Sequence, residues 1–147
     1  MSLDAVYSAK ILDYAGNIGR IGTLDAPDGS AKAHSKLCGS TVRVEVKTDG
    51  QVVTDFAQDV KACALGQASA AILANGVIGC TLPELEKGQA ELCAMLKEDG
   101  AAPEAPFEEL QFLEPVKAYR ARHASTMLAF DAVVDAMREA LQKRAAA

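Results

Sequence analysis

The chain has 147 residues, 50% of them apolar and 24% charged, a balance that excludes wholesale disorder and suits a soluble globular protein. With 15 basic against 20 acidic side chains, a net charge of −5, no long basic run and no Trp, neither a nucleic-acid-binding arm nor an aromatic-rich platform is expected. The length fits one domain over 1–147, which can bury about two-thirds of its unfolded surface without covalent staples.

Asp4 stands where a secretory signal would carry a base, and no long apolar run follows it. The weakly polar stretch from Ala62 to Ile78 is broken by Gln67, Ser69 and Asn75, so no membrane partner is expected and the protein reads as cytoplasmic. In that compartment Cys38, Cys63, Cys80 and Cys93 are expected as reduced thiols, metal ligands or core residues rather than a disulfide framework, and none forms a C-x-x-C pair.

In chain order, the first element is an amphipathic helix capped by Ser2, with Leu3, Tyr7, Ile11 and Tyr14 at helical spacing, ended by Gly16, Gly19 and Gly22. Asp25 to Ala33 reads as an irregular surface loop that leads to His34 and Cys38. From Thr41 to Lys47 the pattern alternates, with Val42, Val44 and Val46 on a buried face and Thr41, Arg43, Glu45 and Lys47 on a solvated one. Asp49-Gly50 is a hairpin turn, because both residues tolerate positive φ, and Val52 to Val60 returns as the second strand. An Ala-rich helix is predicted from near Cys63 to Asn75-Gly76. Thr81-Leu82-Pro83-Glu84 is a capping box that opens a helix with Leu82, Leu85, Leu92, Met95 and Leu96 as its buried stripe. Gly100 to Pro106 is a loop, and Glu104, Glu108, Glu109 and Glu114 read as a solvated acidic face. A last helix buries Phe130, Val133, Val134, Met137 and Leu141. The fold class is α+β, a small antiparallel β-sheet with helices packed on one face.

Two cysteines stand at junctions between elements. Cys38, followed by Gly39, precedes the first strand, and glycine leaves room for backbone or ligand beside the sulfur. Cys63 stands where strand gives way to helix, facing unpaired N–H groups and the positive end of the helix dipole, a setting that favours a thiolate able to bind metal or accept sulfur. Cys80 and Cys93 read as packing residues. His123 lies just before the last helix, where Arg120 and Arg122 disfavour its protonated form and leave an imidazole able to coordinate metal. Paired-carboxylate catalysis, a Ser/His/Asp set and a phosphate-binding glycine loop find no support.

These motifs resemble the NifU-like (IscU/SufU-type) iron–sulfur cluster assembly scaffolds over nearly the whole chain. Leu37-Cys38-Gly39-Ser40 is similar to the family's first cysteine motif, with Ser40 in place of its aspartate. Cys63-Ala64-Leu65-Gly66-Gln67-Ala68-Ser69-Ala70 is similar to its second-cysteine helix. Ala121-Arg122-His123-Ala124-Ser125-Thr126-Met127-Leu128 is similar to the third segment, with the family's cysteine replaced by Ser125 and its preceding histidine by Ala124.

The resemblance implies a non-enzymatic scaffold or carrier. It would bind a 2Fe–2S cluster, iron or zinc through Cys38 and Cys63, with His123 or Ser125 as the further donor. It also implies a cysteine desulfurase as sulfur donor and apo iron–sulfur proteins as acceptors. Two alternatives stand beside it: a metal-free sulfur-accepting partner or regulator of the desulfurase, favoured by Ser40 and Ser125, and a thiol enzyme with Cys63 as nucleophile and His123 as base.

Overall fold

The computed structural model describes residues 8–37 and 39–146, so Cys38 lies outside the described residues, as do Ser2, Leu3 and Tyr7 of the expected first helix. The described helix, α1, covers Ala9–Gly16 and starts at Ser8, which is extended (φ −62°, ψ 162°) and accepts the Ile11 N–H on its Oγ at 3.3 Å. The expected helix thus does not run through Ser8, because a serine that caps with its own hydroxyl leaves helical dihedrals. Ile11 and Tyr14 turn into the core.

Gly29–His34 forms strand β1, where the sequence predicts a loop. Gly-Ser-Ala-Lys-Ala-His contains no β-branched or large aromatic side chain, so propensity carries no strand signal and tertiary packing supplies the order. Its small residues let the last helix, α4 (His123–Ala146), lie directly against it: a Cβ on Gly29 would stand 2.1 Å from the Ala136 carbonyl oxygen and 2.8 Å from the Ala140 nitrogen. His34, expected in the loop, ends this strand.

β2 (Thr41–Thr48) and β3 (Val53–Lys61) form the predicted hairpin, and the sheet is antiparallel in the order β1-β2-β3. Asp49 Oδ1 accepts the Gln51 and Val52 N–H groups at 2.9 and 3.0 Å, and Gly50 takes φ +103°, the left-handed region open to glycine. Val42, Val44 and Val46 are buried as the alternation requires. Glu45, expected on the solvated face, is buried instead; it accepts the Leu24 N–H at 2.7 Å and pairs with Arg43 at 2.9 Å. The reason is the segment after α1, which bridges to the outer edge of β3 through Arg20, Gly22 and Gln58 before it reaches Glu45.

Helices α2 (Ala64–Gly76) and α3 (Leu82–Lys97) begin where predicted, α3 with both halves of its Thr81/Glu84 capping box formed. A 3-10 segment, Glu108–Ala118, follows and buries Leu110, Leu113 and Val116. The acidic face attributed to this region is partly engaged: Glu109 accepts the Tyr14 hydroxyl, and Glu114 pairs with Lys117 at 2.6 Å. α4 begins at His123 itself and packs against β1, β2, α2 and α3. Among the described residues no helix is long and apolar enough to cross a membrane.

Candidate functional site

Sheet register brings the β1–β2 connection and the start of α2 to one end of the sheet. Thr41 pairs with His34 on one side and with Lys61 on the other. The β1–β2 connection and the β3–α2 junction therefore leave the sheet at the same level, as a hairpin folded at Asp49-Gly50 demands. The connection is tied by the Ser35 N–H on the Ser40 carbonyl and the Gly39 N–H on the Ser35 carbonyl, at 2.9 and 2.8 Å. Ser40 is buried, and Leu37 is 76% exposed. Cys38 belongs to this connection by sequence.

Cys63 is the N-cap of α2 (φ −67°, ψ 172°), and its carbonyl accepts the Gln67 N–H at 2.9 Å. Its sulfur does not cap the helix. Cys63 Sγ lies 2.9 Å from Ser125 Oγ, across 62 residues of sequence, with Ser125 fully buried in the first turn of α4. Gly66 makes this approach possible: a Cβ there would stand 3.0 Å from the Ser125 carbonyl oxygen and 3.4 Å from its hydroxyl. A glycine in the first turn of an Ala-rich helix, costing about 1 kcal/mol against alanine, is itself a sign of close packing.

His123 is buried, and its Nε2 lies 3.1 Å from the carbonyl oxygens of both Val116 and Lys117. Both partners are acceptors, so Nε2 carries the hydrogen and the ring ties the end of the 3-10 segment to the start of α4. Binding metal through Nε2 would require giving up both carbonyls; Nδ1 is the nitrogen left for another partner. With Cys63 on Ser125 and His123 on main-chain carbonyls, the two do not form the hydrogen-bonded nucleophile–base pair of a thiol enzyme.

Cys80 is a core residue, as the sequence suggests. It donates to the Gly76 carbonyl at 3.2 Å, and burial pushes its thiol up to about 11. Cys93 is half-buried on α3. Among the described residues no group of three or more His, Cys, Asp or Glu side chains is gathered as a metal site.

The sequence profile of the NifU-like N terminal domain family matches residues 6–145. The chain belongs to this family. Among its relatives is the iron–sulfur cluster assembly scaffold protein IscU of Thermotoga maritima, 25% identical over 139 residues that cover 95% of this chain and 97% of the relative. Among solved structures, a nitrogen-fixing NifU-like protein (N-terminal) from Brucella abortus is 52% identical and superposes with a TM-score of 0.93, covering 97% of this chain and 98% of the other. A putative scaffold protein for the SUF system from Fervidobacterium islandicum AW-1, at 22% identity, shares the fold with a TM-score of 0.81 over 92% of this chain and 99% of that one. In this NifU-like chain the matched region takes in all three segments that carry the resemblance, and Ser125 occupies the third of them.

Proposed function

We infer that this NifU-like protein is an iron–sulfur cluster assembly scaffold or carrier, a single domain over 1–147 and not an enzyme. It holds its cargo transiently through Cys38 and Cys63, with Ser125 or His123 as the further donor. The observation that carries the reading is the meeting of Cys63 Sγ and Ser125 Oγ at 2.9 Å, because it joins two of the three family segments at the sheet end from which the Cys38 connection leaves. Thiolates suit this cargo, a 2Fe–2S cluster or zinc, since both are held by soft sulfur ligands. A hydroxyl is a poorer donor, so two thiolates and one serine favour cargo that is passed on over cargo that is kept. The relative named as a scaffold supports the same role. A cysteine desulfurase supplies the sulfur, and apo iron–sulfur proteins receive the product, in the cytoplasm.

Anaerobic reconstitution with iron and sulfide tests this. The wild-type protein is expected to develop a persistent visible charge-transfer absorption, and Cys38→Ser and Cys63→Ser are each expected to lose it. Full cluster or zinc loading in both variants would refute the assignment. A second reading, a metal-free sulfur acceptor or regulator of the desulfurase, is favoured by the hydroxyl at Ser125. It predicts no persistent absorption in the wild type, with sulfur transfer to Cys63 preserved.

A further inference from the structure

A cavity of about 440 Å³ lies between α3, α4 and the end of β1, and the proposed cargo chemistry uses none of its polar groups. On α3, Gln89, Cys93 and Lys97 follow one another by a turn, and all three line it. Leu128 and Asp131 of α4 stand opposite, and Met127 adds to an apolar wall.

Exposed Lys97 and half-buried Asp131 bring opposite charges to the rim and wall of this space, and His34 lines it at the end of β1. Asp131 Oδ1 accepts a hydrogen bond from Gln89 Nε2 at 2.8 Å, which fixes the carboxylate at the wall. Burial raises its pKa, the Gln89 hydrogen bond lowers it, and the charges of Asp135 and Lys97 add smaller pushes up and down respectively. Lys97 thus stands within the field of Asp131, yet among the described residues no ion pair closes between them. A cation and an anion that share a cavity without meeting, beside apolar side chains, form a dipolar slot of the kind that orients small polar ligands.

We propose that this cavity binds a small amino-acid-like zwitterion, with its carboxylate on Lys97, its ammonium on Asp131 and its side chain over Met127 and Leu128 beside the Cys93 thiol. The sulfur atoms of Met127 and Cys93 favour a soft, flexible side chain, which makes L-methionine the probe of choice. A ligand lacking either charge forgoes its attraction to exposed Lys97 or to half-buried Asp131, and that difference is what selects the zwitterion.

The test uses the full chain without metal. L-Methionine is titrated by calorimetry against its amide, which lacks the carboxylate, and its N-acetyl derivative, which lacks the ammonium. In parallel, iodoacetamide alkylation of Cys93 is followed by peptide mass mapping. Saturable binding of L-methionine is expected, with both derivatives weaker by at least about tenfold and Cys93 protected while Cys63 is not. Lys97→Ala is expected to bind L-methionine no better than the wild type binds the amide. Asp131→Asn, which keeps an acceptor for Gln89, is expected to bind it no better than the wild type binds the N-acetyl compound. Lys97→Arg is expected to preserve binding and serves as the control for folding. Absence of saturable binding, equal affinity for all three compounds, or unprotected Cys93 at saturation would overturn the proposal. None of these readouts involves cluster loading, so this site and the scaffold reading fail separately.

Discussion

Gly66→Ala is the sharpest structural test of the Cys63–Ser125 contact. The added Cβ would stand 2.8 Å from the Ala62 Cβ and 3.0 Å from the Ser125 carbonyl oxygen, both tighter than ordinary packing. Ala62 and the first turn of α4 must then give way by several tenths of an ångström. Overpacking of this kind costs about 1–3 kcal/mol, while alanine in place of helical glycine returns about 1 kcal/mol. The net expectation is a loss of about 1 kcal/mol, a fall in Tm of about 3 °C for a chain of this size. The strain falls on the turn that carries Ser125, so cluster loading is expected to drop with it. Gly16→Ala is the control: nothing lies within 4 Å of its added Cβ, and it is expected to be neutral or mildly stabilising. Thermal and urea denaturation followed by circular dichroism, with loading measured on the same samples, read both effects. A Gly66→Ala protein that melts at or above the wild type and loads fully would show that this glycine does not serve the approach of α2 to α4.

Three further outcomes are expected. Gly29→Ala drives a methyl group into the α4 backbone, where no side chain can move aside, and is expected to cost at least about 3 kcal/mol in urea unfolding. Burial, then the hydrogen bond to Glu109, push the Tyr14 pKa from 10.0 up to about 12. Since the folded value lies above the unfolded one, this contribution to stability is complete below pH 10 and is lost as the unfolded chain ionises between pH 10 and about 12. Tyr14→Phe is therefore expected to lower the urea midpoint at neutral pH and to flatten its decline across that window; an unchanged slope would contradict the assignment. Ser125→Cys places a thiol within reach of the Cys63 sulfur and, on the proposed ligand set, is expected to raise zinc affinity at least about tenfold in competition with a chromophoric chelator. If Ser125→Ala instead lowers affinity as far as Cys63→Ser does, the hydroxyl is itself a ligand.

What could be read from the sequence was whatever short-range chemistry determines. The Val42-Val44-Val46 alternation, the Asp49-Gly50 turn and the Thr81/Glu84 box each fix structure within a few residues, and the hairpin and the start of α3 follow them. The start of α2 at Cys63 was likewise visible in the change of composition after Val60. β1 was not, because its order comes from α4 lying against Gly29, more than a hundred residues away, and not from the preferences of its own side chains. Glu45 misled for the same reason: the alternation gives its face correctly, but the partner that buries it is the main chain at Leu24. The 3-10 segment went unassigned because it has no long helical stripe and Pro115 stands inside it.

The candidate site divides along the same line. Residue type and position single out Cys63 and His123, and the family resemblance adds Ser125, but neither says which atom each side chain meets. Ser125 reaches Cys63 because α4 starts at His123, which puts position 125 in the first helical turn. His123 shares that turn, yet its ring is spent on the Val116 and Lys117 carbonyls at the end of the 3-10 segment, the first of which also accepts the Tyr119 N–H at 2.8 Å. One turn of helix thus sorts two nominal donors into different tasks: the serine faces the sulfur, and the imidazole anchors the turn that presents the serine. On this division, His123→Ala should loosen the Ser125 contact and reduce cargo loading through lost order, and His123→Gln, whose side-chain amide can donate to the same carbonyls, should restore much of it. A histidine acting as a metal ligand would not be rescued by that amide.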